Sequence, residues 1–150
     1  MTLMGVYEGN DPAQVSAFES WIGRKVDLIH GVVGSANWTD FTSSVRWMIG
    51  DQVWGGLDRD VFWSVPLIIS DGTASLAAAG RGAYNLYYAS VAATLLASRA
   101  GDSGDILVRT GWEFNGDWFP WSAAGKEADY IAAFRAFVTT FRTVSDRFVF

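Results

Sequence analysis

Cysteine is absent from these 150 residues, which excludes disulfides, thiolate metal sites and cysteine nucleophiles. Basic residues form no cluster. The formal charge is −5 and the pI about 4.6, a balance that argues against nucleic acid and anionic membrane as partners but leaves a neutral substrate open. No apolar run reaches the roughly 20 residues of a membrane span. The N-terminus has neither a basic segment nor a cleavage-site pattern, so an export signal is expected outside this sequence. Neither a G-x-G-x-x-G nor a Walker A pattern occurs, and nucleotide binding loses its best support. No low-complexity linker or composition break divides the chain, which is the size of one ordinary domain or part of a larger one. The chemistry suggested below needs no cofactor.

Apolar and aromatic side chains are plentiful. Half of the chain is apolar, enough to bury a core, and aromatics make up 15% with eight tryptophans. So many flat rings favour a wall for flat ligands such as sugars or bases.

Short apolar runs alternate with helical periods. "LMGVY" reads as a buried strand. "DPAQVSAFESWIG" reads as a helix with Asp11 as N-cap, Pro12 at its first position and Gly23 as its stop, and Val15, Phe18 and Ile22 on one face. "VDLIHGVVG" is the second strand and "TDFTSSVRWMIG" the second helix, with Phe41, Val45 and Met48 inward. "VFWSVPLII" is the third strand, where Pro66 marks a bend or an end. A long helix is expected over 82–101, a fourth strand in "DILVRTGW", a fourth helix in "EADYIAAFRAFVTTFRTV", and the start of a fifth strand in "RFVF".

Continuously apolar strands alternating with helices predict a parallel α/β sheet with right-handed crossovers. Two architectures fit: an open doubly wound sheet, or the first four βα units and the start of strand 5 of a (β/α)8 TIM barrel. Because the sequence stops within an apolar run, the expectation is a truncated barrel whose unpartnered edges and inner face favour self-association.

The stretch "VRTGWEFNGDWFPW" carries the chemistry. It sets Glu113 among Trp112, Trp118, Phe119 and Trp121. Active sites of such barrels lie at the C-terminal ends of the strands, and Glu113 follows the fourth. Period-two geometry places Leu107, Arg109, Gly111 and Glu113 on one side, pointing Glu113 into the mouth. Partial desolvation by the indoles raises a carboxyl pKa, so that the acid can protonate a leaving oxygen near neutrality. Asn115, Asp117 and the Trp118 indole N–H are candidates for sugar hydroxyls, and Trp118 and Trp121 for stacking platforms. Trp38, Tyr7 and His30 are further candidate substrate contacts. For each a plain alternative exists: helix anchor for Trp38, strand end for Tyr7, hydrogen-bonded core residue for the lone His30. Arg109 supports Glu113 from behind.

The same stretch resembles the acid/base motif of glycoside hydrolase family 26, chiefly β-mannanases with a (β/α)8 barrel. That pattern is roughly Arg, two residues, His-Glu-Met-Asn-Gly, one residue, Trp-Phe. Arg109, Glu113, Asn115, Gly116, Trp118 and Phe119 match it, while Trp112 stands in place of His and Phe114 in place of Met. "GVYEGN" is similar to that family's first strand. The resemblance implies a secreted, endo-acting hydrolase of a β-linked polysaccharide such as mannan. It implies a retaining mechanism with Glu113 as general acid/base and a nucleophilic glutamate on a seventh strand, absent here. The rival expectations are a non-catalytic carbohydrate-binding relative and an unrelated open α/β domain.

Overall fold

A computed structural model describes residues 2–150. The elements run β1 (Gly5–Val6), α1 (Pro12–Ile22), β2 (Leu28–Val32), α2 (Trp38–Met48), β3 (Asp60–Ser64), α3 (Leu76–Gly80), α4 (Asn85–Ser98), β4 (Ile106–Arg109), α5 (Glu127–Val144) and β5 (Phe148–Val149). The five strands form one all-parallel sheet in the order β1-β2-β3-β4-β5. A doubly wound sheet reverses its strand order part-way, and no such reversal occurs among the described residues.

The helix limits follow local chemistry. The Asp11 carboxylate accepts the Ala13 N–H at 2.8 Å, Pro12 occupies the first turn, and Gly23 ends α1 at φ 72°, a conformation that costs glycine nothing. Asn37 caps α2 through the Asp40 N–H. One expectation is met and one corrected. The third strand ends at Ser64, because Pro66 has no N–H to extend the ladder. Val65, Leu67, Ile68 and Ile69 beyond it are still buried. The helix expected over 82–101 begins at Asn85, and a separate short helix, α3, precedes it with Ser75 as N-cap.

Sequential pairing with right-handed crossovers sends every helix to the same side of the sheet. The burial pattern agrees. Ile29, Val61, Trp63, Ile106, Val108 and Phe148 point into the helical layer and are buried. The alternate residues Leu28, His30, Phe62, Leu107 and Arg109 lie on the other face and stay partly exposed. The core between sheet and helices is rich in aromatics. Phe137 stacks on Phe141 at 4.4 Å between centroids, Tyr88 lies 4.8 Å from Phe137, and the Tyr88 hydroxyl donates to the Leu67 carbonyl at 2.6 Å. Burial pushes the Tyr88 phenol far above its ordinary range. Phe137 is fully buried, so Phe137→Ala is expected to cost about 3–5 kcal/mol, read as a lower urea midpoint with an unchanged slope.

Candidate functional site

All strands run the same way, so every β-to-α connection emerges at one end of the sheet. There the chain places Tyr7 after β1, Trp38 after β2, and the loop carrying Glu113 after β4. The opposite end is electrostatic. Arg59 pairs with Glu19 at 3.2 Å, Arg99 with Asp60 at 3.0 Å and Asp102 at 2.5 Å, and Arg147 with Asp102 at 2.7 Å. Hydrogen bonding from Arg99 is the largest influence holding the Asp102 carboxyl at about 2. A cavity of about 1210 Å³ lies at this end between Trp54, Arg59, Asp60 and Arg99. Arg59, Arg99 and Asp102 in its lining are already paired, so size alone does not make it the reactive site.

The loop from Thr110 to Lys126 has no regular structure but is held closely. The Tyr130 hydroxyl donates to the Gly111 carbonyl at 2.7 Å, Ser122 Oγ to the Gly116 carbonyl at 2.5 Å, and the Ala123 N–H to the Phe114 carbonyl at 2.9 Å. Trp121 Nε1 donates to the Trp112 carbonyl at 2.7 Å. The Trp121 ring stacks on Phe119 at 4.6 Å and meets Trp112 edge-on at 4.7 Å. Trp121 is only 1% exposed. Its expected role as a sugar platform is therefore corrected: it is the buried pillar of the loop, and its flat faces are already taken.

Trp118 is 65% exposed, and its Nε1 donates to Glu113 Oε2 at 2.8 Å. An open indole face thus lies directly beside a carboxylate. Glu113 itself is exposed, so the burial expected from its aromatic neighbours is not supplied by them. The alternation expected to aim it also stops early. β4 ends at Arg109, Gly111 turns at φ 60°, and Glu113 adopts φ 52°. That left-handed backbone is uncommon for a non-glycine residue and concentrates at functional loops. Asn115 is exposed near the tip.

Gly116 permits the Trp118 contact. A Cβ at Gly116 would meet the Trp118 ring at 2.5 Å. Gly116→Ala is expected to push the exposed indole off Glu113, moving the Trp118 indole N–H resonance, while stability changes by no more than about 0.5 kcal/mol. An unmoved resonance would show that the glycine is not needed.

The remaining expected residues form two groups. Trp38 stacks on Tyr87 of α4 at 4.3 Å and meets Tyr84 at a tilt at 4.6 Å, so one face is occupied. Trp38 also lines a shallow recess with Asn37 and Asp71. Tyr7 and His30 meet on the uncovered sheet face at 5.1 Å between ring centroids. There His30 Nε2 lies 2.5 Å from Ser64 Oγ, which also accepts the Arg109 Nε–H at 2.5 Å. Arg109 therefore supports this trio rather than Glu113. Ser64 is fully buried and its hydroxyl has no other partner. With the Arg109 N–H accepted, the buried hydroxyl still has its single proton to pair, and His30 Nε2 is the acceptor within reach. That arrangement favours the His30 tautomer protonated at Nδ1. Desolvation, then the Arg109 charge, lower its pKa. Ser64 was not singled out in the sequence. Its signal is a lone hydroxyl in an apolar strand, in register with Arg109.

A lowered folded-state pKa makes the unfolded chain bind the proton more readily. The stability that neutral His30 contributes is present above the ordinary value of 6.5 and lost as pH falls through the lower folded value. His30 is the only histidine. The urea midpoint is therefore expected to fall just below pH 6.5, and His30→Gln to flatten that slope.

Among the described residues no group of three or more His, Asp or Glu side chains is placed to hold a metal ion. No helix of the described chain is long and apolar enough to cross a membrane. Neither a protein-family model nor a curated protein sequence matches this chain.

Proposed function

We propose that this chain carries the acid/base half of a retaining glycosidase that cleaves within a β-linked polysaccharide of the mannan type. One observation carries the reading: a carboxylate at the exit end of a parallel sheet, held at 2.8 Å by the N–H of an indole whose face is open. Sugar rings stack their apolar faces on such indoles. A ring seated on Trp118 sets its glycosidic oxygen near Glu113, and covers the carboxylate from water.

The architecture supports this reading. Strand order β1 to β5 without reversal, with helices on one side, is the order of a (β/α)8 barrel. The uncovered face then corresponds to the barrel interior and the Glu113 loop to its mouth. The motif shared with glycoside hydrolase family 26 supports the same assignment of Glu113 and Trp118.

In the first step Glu113, protonated, gives its proton to the departing glycosidic oxygen while a second carboxylate attacks the anomeric carbon. In the second, Glu113 as carboxylate takes a proton from water, which displaces the enzyme carboxylate from the sugar. The two groups must stand about 5–5.5 Å apart. We assign the second to polypeptide outside residues 2–150, and the action to a secreted enzyme. A second reading, a carbohydrate-binding relative without catalysis, is favoured by the exposure of Glu113.

Hydrolysis of β-mannan separates the two. Together with the polypeptide that supplies the second carboxylate, the chain is expected to hydrolyse glycan, and Glu113→Gln to slow it by about 10²–10⁴-fold. The 150 residues alone are expected to bind oligosaccharide without turnover. Equal rates with glutamine at 113 would sink the catalytic assignment.

A further inference from the structure

The uncovered face of the sheet carries a cation, Arg109, that has no anionic partner among the described residues. We propose that Arg109 is a carboxylate-binding centre on this face, and that the glycan engaged beside the Glu113 loop contains hexuronic acid units. This rests on the glycan reading above and adds the charge of the sugar to it.

The ion pairs of the described residues use Arg24, Arg59, Arg99 and Arg147, and none includes Arg109. Its Nε is tied to Ser64 Oγ, while neither terminal amino group has a protein acceptor among the described residues. The guanidinium carbon lies 5.2 Å from the Trp112 ring centroid and 5.9 Å from that of Phe62. One nitrogen anchored and two rings alongside hold the planar fork in place before a ligand arrives. A fork with two parallel N–H donors matches a carboxylate bidentately.

The surroundings select a sugar acid over a simple anion. Tyr7 is 53% exposed and Phe62 and Trp112 partly so. These rings offer stacking surface to a pyranose whose C6 carboxylate reaches Arg109. The net charge of −5 repels acidic ligands at a distance, so attraction must come from this local fork. Trp112, which covers the guanidinium, is also the residue that replaces the His of the family 26 pattern. The departure from that pattern thus falls on the ring that frames the cation.

The test uses the whole 150-residue chain and two probes of the same β-1,4 stereochemistry, tetramannuronate and mannotetraose, with acetate as a third. Titration by calorimetry at low salt is expected to give tetramannuronate about tenfold tighter binding than mannotetraose, the scale of one charge-assisted pair. Arg109→Gln is expected to abolish the preference. Arg109→Lys, which keeps the charge but loses the fork, is expected to abolish most of it, with circular dichroism confirming the fold of both. Equal affinities for the two sugars overturn the acid preference and leave the glycan reading standing. Failure of both sugars to bind overturns the two together. Acetate binding as tightly as tetramannuronate reduces the centre to a general anion site and overturns the sugar-acid assignment. So does a preference that survives both substitutions. Sedimentation showing self-association that Arg109→Gln abolishes would instead assign the fork to a carboxylate of a second copy, and would also overturn the proposal.

Discussion

Parallel pairing of neighbouring strands in chain order is the constraint from which the other features follow. A parallel connection must return to the start of the sheet before the next strand begins, and its right-handed sense fixes the side on which it returns. With no reversal of order, that side never changes. The helices accumulate on one face, and their apolar residues meet Ile29, Val61, Trp63, Ile106 and Val108. The opposite face keeps polar residues that a two-sided core would not accommodate, His30 and Arg109, joined through Ser64 with Phe62 beside them. Parallel direction also separates the two ends chemically. Carboxylate–arginine pairs gather where strands begin, and aromatic loops where they end.

At the exit end, tryptophans of one loop divide their tasks by burial. Trp121 is enclosed by Phe119 and Trp112 and anchored through its indole nitrogen. Such a fixed ring gives an irregular segment a rigid base that backbone ladders would otherwise provide. On that base the outer turn can hold Glu113 in a left-handed conformation and leave Trp118 in solvent. Neither state is favourable in isolation: the first strains the backbone, and the second exposes a large apolar ring. Their coincidence at one hydrogen bond is the strongest structural support for a role beyond packing.

The sequence revealed regular elements well and the irregular loop poorly, and the reason is periodicity. Phe41, Val45 and Met48, or Phe137 and Phe141, repeat at helical intervals, so their burial could be read directly. The strands stood out as apolar runs between turn signals. In β3 the run misled, because Val65 to Ile69 is buried without being strand. Burial and strand pairing part company after Pro66. The short helix α3 escaped notice because its five residues give too little period to detect. Within 110–126 there is no period at all. Trp118 and Trp121 look alike in sequence, yet one is exposed and the other enclosed. The direction of Glu113 likewise depended on an alternation that ends at Arg109.

The exposure of Glu113 bears on how an acid in such a loop could work. A carboxylate in water holds its proton poorly at neutral pH, so an enzyme must desolvate it when the proton is needed. Neighbouring side chains can do this permanently, as the sequence suggested, or a ligand can do it on arrival. Here only the second is open to the described residues, since Trp118 touches the carboxylate through its edge and turns its face to solvent. A sugar stacked on that face would bring both the leaving oxygen and the dry surface. On the proposed reading, seating a sugar on the indole would thus also exclude water from the Glu113 carboxylate.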